Sequence, residues 1–225
     1  MVPVRTGLDE RLEQLRDNLV EDASELMKIY EISINSLISL DVEHVNQVLD
    51  AREKARIKFW ERTGDILLVI SMNQPMMGDL RMISTYLRGT DTIERGMRHA
   101  RDISQISLIL KNQAGVNNIP SNLVNLIQIM NEQLIDLISN IFESINSKTN
   151  LDVDYISNKW SKIGETWESC QEIISQTPGS EIGSKIGRLN LFRALSRIER
   201  TGYNFVRFAD LWHHALNNEW ISIEN

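Results

Sequence analysis

Cysteine is almost absent from this chain: Cys170 is the only one in 225 residues. No disulfide can therefore form within the chain, and the paired-cysteine zinc and redox motifs are excluded. Long apolar runs are missing too. The longest, Ile66 to Ile70, falls far short of the ~20 residues that a membrane-spanning helix needs. The segment after Met1 carries Asp9, Glu10, Arg11 and Glu13 instead of the apolar core of a signal peptide, so a cytoplasmic location is expected. Blocks of positive charge are also lacking. The net charge is −7, and the lysines and arginines are scattered along the sequence, which argues against direct binding of nucleic acid or of an anionic membrane surface. Neither a G-x-S-x-G elbow nor a G-K-S/T phosphate loop occurs, so no nucleophilic hydrolase or phosphate-loop chemistry is expected and the chain is not read as an enzyme.

Proline is scarce. Pro3, Pro75, Pro120 and Pro178 are the only four, and each falls where a helix could begin, a position that tolerates the missing N–H. Two further breaks lack proline: one at Ser39 to Asp41, where Asp41 is a candidate N-cap, and one at Ser147 to Asp152, rich in turn and cap formers. These signals predict six helices, at roughly 8–39, 42–72, 76–112, 120–146, 152–175 and 180–217. No alternating apolar and polar runs suggest a sheet. Helices this long imply a bundle. The third has an apolar stripe in which Met82, Gly89, Gly96, Ile103 and Leu110 recur every seventh residue beside Tyr86, Ile93 and Ala100. Its two glycines each cost up to ~1 kcal/mol of helix propensity, and close approach of another helix is the expected compensation.

The segment Gln74-Pro75-Met76-Met77-Gly78-Asp79-Leu80-Arg81 is followed by Asp91-Thr92-Ile93-Glu94-Arg95, and its Ile-Glu-Arg recurs at Ile198-Glu199-Arg200. Setting Glu94 against Glu199 also aligns Leu87 with Phe192, Arg88 with Arg193 and Ala100 with Phe205. The chain reads as two copies of one helical unit, 1–114 and 115–225, meeting at Asn112 to Pro120 around Gly115.

This layout resembles the PhoU family, cytoplasmic regulators of high-affinity phosphate uptake, over nearly the whole chain. The resemblance implies an all-α fold of two tandem three-helix bundles and a non-catalytic regulator or adaptor. It implies contact with the ATPase subunit of a phosphate ABC transporter and with a signalling protein, so that the membrane is met only through a partner, and it suggests a homodimer. A regulator of another transporter would carry the same pattern. Family members gather metal ions on the carboxylates of their third helices, which makes Asp91, Glu94 and Glu199 the candidate metal ligands here. The motif is interrupted at Arg98, Ser196 and Tyr203.

Asp91, Glu94 and Arg98 lie at i, i+3 and i+7 and so share a helix face. Three readings stay open: a solvated charged face, a guanidinium standing in for the metal, or weak binding of a divalent cation with no cofactor required. A carboxylate-rich metal-binding bundle is the alternative function, but it needs several inward-facing glutamates and Glu-x-x-His pairs. Asp41-x-x-His44 and Asp210-x-x-His213 approach that spacing, as residues on solvated faces also do. His99 is expected on the surface or in a pocket, Cys170 as a helical thiol without a catalytic role, and Trp212 in the core. Asp79 and Arg81, at the start of the third helix, and Trp220, in the tail, are the candidate partner-binding residues, Asp79 also complementing the helix dipole.

Overall fold

A computed structural model describes residues 5–223. They form α1 (Arg5–Ser39), α2 (Val42–Asn73), α3 (Met77–Asn112), α4 (Ser121–Ser147), α5 (Val153–Gln176), the single turn α6 (Gly179–Ile182) and α7 (Ser184–Asn217). No strand occurs among the described residues. The helix boundaries follow from capping. Asp41 accepts a hydrogen bond from the Glu43 N–H at 2.9 Å, and Asp152 accepts one from Tyr155 at 2.9 Å. Pro120 and Pro178 are themselves the N-cap residues of α4 and α6, while Pro75 lies two residues before α3. Pro3 lies outside the described residues.

The last expected helix is divided. Gly183 adopts φ +71°, which ends α6 and starts α7, and the left-handed conformation is one that glycine enters without a Cβ penalty. Four residues on, a β-carbon on Gly187 would collide with the Ile182 carbonyl. The glycine spacing Gly183 to Gly187 was the signal for this corner.

Helices α1, α2 and α3 pack on one another, and so do α4, α5 and α7. The two groups join along α3 against α7, the most extensive contact in the molecule, and along α1 against α4. One continuous apolar core runs through both groups, from Leu19 and Leu26 on α1 through Ile83 and Ile103 on α3 to Phe205 and Trp212 on α7. The heptad stripe of α3 is the wall of that core. A β-carbon on Gly96 would stand 2.8 Å from Leu26 Cδ2. One on Gly89 would stand 2.9 Å from both Leu19 and the ring of Phe208, and that ring is stacked on Phe142 at 5.7 Å. The helix-propensity cost of these glycines therefore brings α3 into contact with its neighbours on two sides.

Replacing Gly89 by alanine should give a net destabilisation of about 1 kcal/mol, because overpacking costs roughly 1–3 kcal/mol and helix propensity returns only up to ~1 kcal/mol. In contrast, Gly64→Ala, on the exposed side of α2 with nothing near its β-carbon, should stabilise by up to ~1 kcal/mol. Urea denaturation of the two variants checks both signs.

Candidate functional site: an arginine-lined cleft between α3 and α7

The sequence candidates on α3 are brought close together, but to one another's cations. Glu94 is nearly buried, with a side chain 12% exposed. Its Oε1 accepts from Arg52 on α2 at 2.5 Å, and its Oε2 faces Arg98 at 2.8 Å. Asp91 pairs with Arg95, one turn on, at 2.9 Å. Both oxygens of the central carboxylate are thus taken by guanidinium groups. Glu199 lies across the cleft on α7, half-buried, and burial holds its carboxyl above the usual carboxylate range despite the neighbouring Arg200. Tyr203 lines the same cleft and Ser196 an adjoining one. Among the described residues no three His, Cys, Asp or Glu side chains converge as metal ligands. A carboxylate-bridged metal cluster does not fit these residues: its oxygens would have to be freed from arginine first.

What surrounds these residues is cationic. Arg95, Arg98 and Arg101 on α3 and Arg197 and Arg200 on α7 line a cleft of about 620 Å³ together with His99, Asp102, Glu199, Tyr203 and Asn204. Asp102 lies between two guanidiniums, Arg101 at 2.6 Å and Arg197 at 3.1 Å. The cleft continues at one end past Trp167, Phe192 and Arg193, and at the other past Arg88, Arg207 and Trp220. Eight of the chain's sixteen arginines, and none of its lysines, line this groove. In sequence they are spread over two distant segments, which is why the linear charge pattern looked unclustered. Their signal was the repeat: the alignment that pairs Arg88 with Arg193 also pairs Arg95 with Arg200.

Below the arginines a buried polar chain ties three helices. Tyr30 of α1 meets the Thr201 hydroxyl at 3.0 Å, and that hydroxyl meets His99 Nδ1 at 2.8 Å. Burial pushes the Tyr30 phenol well above its ordinary range. Burial, and then the charge of Arg197, holds His99 down at about 4. Neither group was singled out for this role by the sequence; Tyr30 carries no motif, and a histidine between arginines becomes legible only once α7 is in place.

The other candidates are placed plainly. Asp79 is in the first turn of α3, beside exposed Met76, Met77 and Leu80, and the Nε of Arg81 is buried there without a hydrogen-bond partner. Trp220 is 67% exposed and stacks on His214 at 3.9 Å. His44 stands 3.6 Å from Asp41, while His213 faces Asn217 and buried Asp210 accepts from the Ile223 N–H. Trp212 is in the core. Cys170 is buried, and burial raises its thiol to about 11, which keeps it protonated and unreactive near neutrality.

The whole architecture matches solved structures. The phosphate transport system regulatory protein PhoU from Streptococcus pneumoniae superposes with a TM-score of 0.82 over 95% of this chain and 99% of that one, at 14% identity. PhoU from Pseudomonas aeruginosa gives 0.81 over 94% and 99%, at 15% identity. No protein-family profile matches the sequence, and no curated protein does. The fold defines a helical bundle of the PhoU type, matched across almost the full length of both chains.

Two outcomes follow from this geometry. Glu94→Leu strands Arg52 in the protein without its carboxylate and should cost about 3–5 kcal/mol, whereas Arg98→Ala, which removes a side chain 45% exposed, should cost about 1 kcal/mol or less; chemical denaturation separates the two. The pH test concerns His99. Its folded pKa lies below the unfolded value, so the unfolded chain binds the extra proton between about 6.5 and about 4, and stability is full above that window and lost as pH falls through it. His99→Gln should therefore lose measurably less stability than the parent between pH 7 and pH 5.

Proposed function

We propose that this protein is a non-catalytic regulator of phosphate uptake that works by protein–protein contact. The observation that carries this reading is the match to PhoU structures over nearly the whole of both chains. The partner expected from that likeness is the ATPase subunit of a phosphate ABC transporter, with a signalling protein as the second contact. No helix of the described residues is long and apolar enough to cross a membrane; in this reading the protein meets the membrane at the transporter.

The surface best suited to the ATPase subunit is the corner where α2 meets α3. Met72, Met76, Met77 and Leu80 are exposed there around Asp79. Exposed apolar side chains rimmed by charge are the composition of interaction sites, and methionine adapts to a partner's contour. The regulator acts without a resident metal in this reading, because Glu94 and Asp91 already have guanidinium partners. The metal-storage alternative loses support on the same contacts.

Pull-down of the transporter ATPase subunit is expected to survive chelator and to fall at least tenfold for Met76→Ser combined with Met77→Ser, with the helical spectrum unchanged. Binding that disappears in chelator, with the ATPase subunit verified as folded and nucleotide absent, would reject metal-independent regulation.

A further inference from the structure

The arginine groove has an electrostatic surplus that its own carboxylates do not use up. Glu94 is shared by Arg52 and Arg98, and Asp102 is shared by Arg101 and Arg197. Each carboxylate thus neutralises one of two guanidiniums. Arg200 is exposed at the same cleft and is within range of Glu199 only through space. Burial is the main reason that the His99 and Arg52 pKa values are lowered; Arg197, Arg98 and Arg200 add to it at His99 against Asp102, and Arg101 and Arg98 add to it at Arg52 against Glu94. The chain as a whole has a net charge of −7, yet this groove gathers arginines and no lysine. Arginine is the side chain whose planar fork engages oxyanions with two parallel hydrogen bonds, and it stays charged at any relevant pH.

The geometry points to the α3–α7 cleft as a binding site for a small polyphosphate anion, held by Arg98, Arg101, Arg197 and Arg200. Its volume is that of a small-ligand site. The four guanidiniums come from two helices, already joined at one point by the Asp102 carboxylate between Arg101 and Arg197, and a ligand with two or more phosphoryl groups offers them more oxyanion pairs than a single phosphate does. The groove runs on from Arg197 and Arg200 to Trp167 and Phe192, a place where a base attached to the anion would find aromatic surface. The shared chemistry is the pyrophosphate group, free or carried by a nucleotide. The inference is independent of which transporter the protein regulates.

Isothermal titration calorimetry of the full chain against pyrophosphate, inorganic phosphate, adenosine diphosphate and manganese chloride tests it, in about 0.15 M salt so that unspecific attraction is screened. Pyrophosphate should bind tighter than phosphate, and manganese should not bind. Arg200→Ser and Arg101→Gln should each weaken pyrophosphate by roughly tenfold or more. Arg56→Gln, on the exposed face of α2 beside Glu53, should leave it unchanged. Glu199→Gln should tighten binding, since it removes a carboxyl facing the anion; loss of binding in that variant would mean that a metal bridges the ligand and would overturn the proposal. Circular dichroism and melting curves of each variant establish that the bundle is folded. Adenosine diphosphate binding tighter than pyrophosphate identifies a nucleotide as the source, and equal affinity identifies the free anion. No saturable heat at millimolar pyrophosphate, or equal losses in Arg56→Gln and Arg200→Ser, would also overturn the proposal.

Discussion

The close packing of α3 on α7 is the contact on which the rest of this molecule depends. It joins the two three-helix groups, and it is possible because Gly89 presents no side chain to the ring of Phe208. The same approach brings Thr201 within reach of both Tyr30 and His99, so a buried polar chain fixes the register of three helices at once. Buried hydrogen bonds of this kind specify one arrangement, because sliding α7 by a residue would leave a tyrosine and a histidine unsatisfied. The cleft above exists only while that register holds.

Arginine and carboxylate are arranged in this cleft as alternating charges on two helices, with the central acids each between two bases. That arrangement gives a bundle face that is filled, electrostatically, from within. A carboxylate stripe without cations would repel itself and demand ions from solution. A guanidinium in its place balances the charge from within the covalent chain. The remaining positive charge is then free to act on something outside the chain.

Much of the fold was legible because its determinants are local. Asp41 and Asp152 cap helices where turn chemistry placed the breaks, and the heptad of α3 is the buried wall that its period implied. Where the expectation failed, at Gly183, one residue in a left-handed conformation divided the segment expected as a single last helix. The site was harder to see. The family motif singled out Asp91 and Glu94 and helix spacing set Arg98 on the same face, but the second partner of Glu94 is Arg52, which comes from another helix and has no spacing relation to it. The groove itself is tertiary: Arg98 and Arg200 are a hundred residues apart in sequence, and only the internal alignment of Arg95 with Arg200 hinted that they meet.

An acidic chain that gathers half its arginines along one seam leaves the remainder of its surface more negative than its net charge suggests. The seam is therefore more positive than the rest of the surface. In solution a charged body approaching it experiences a torque before any contact forms, so the two faces are presented to different classes of visitor: anions are drawn down the seam, and basic surfaces are drawn to the opposite side. Because this orienting field fades over about 10 Å at moderate salt, it selects which way round the bundle arrives at a docking site without adding to how tightly it stays there.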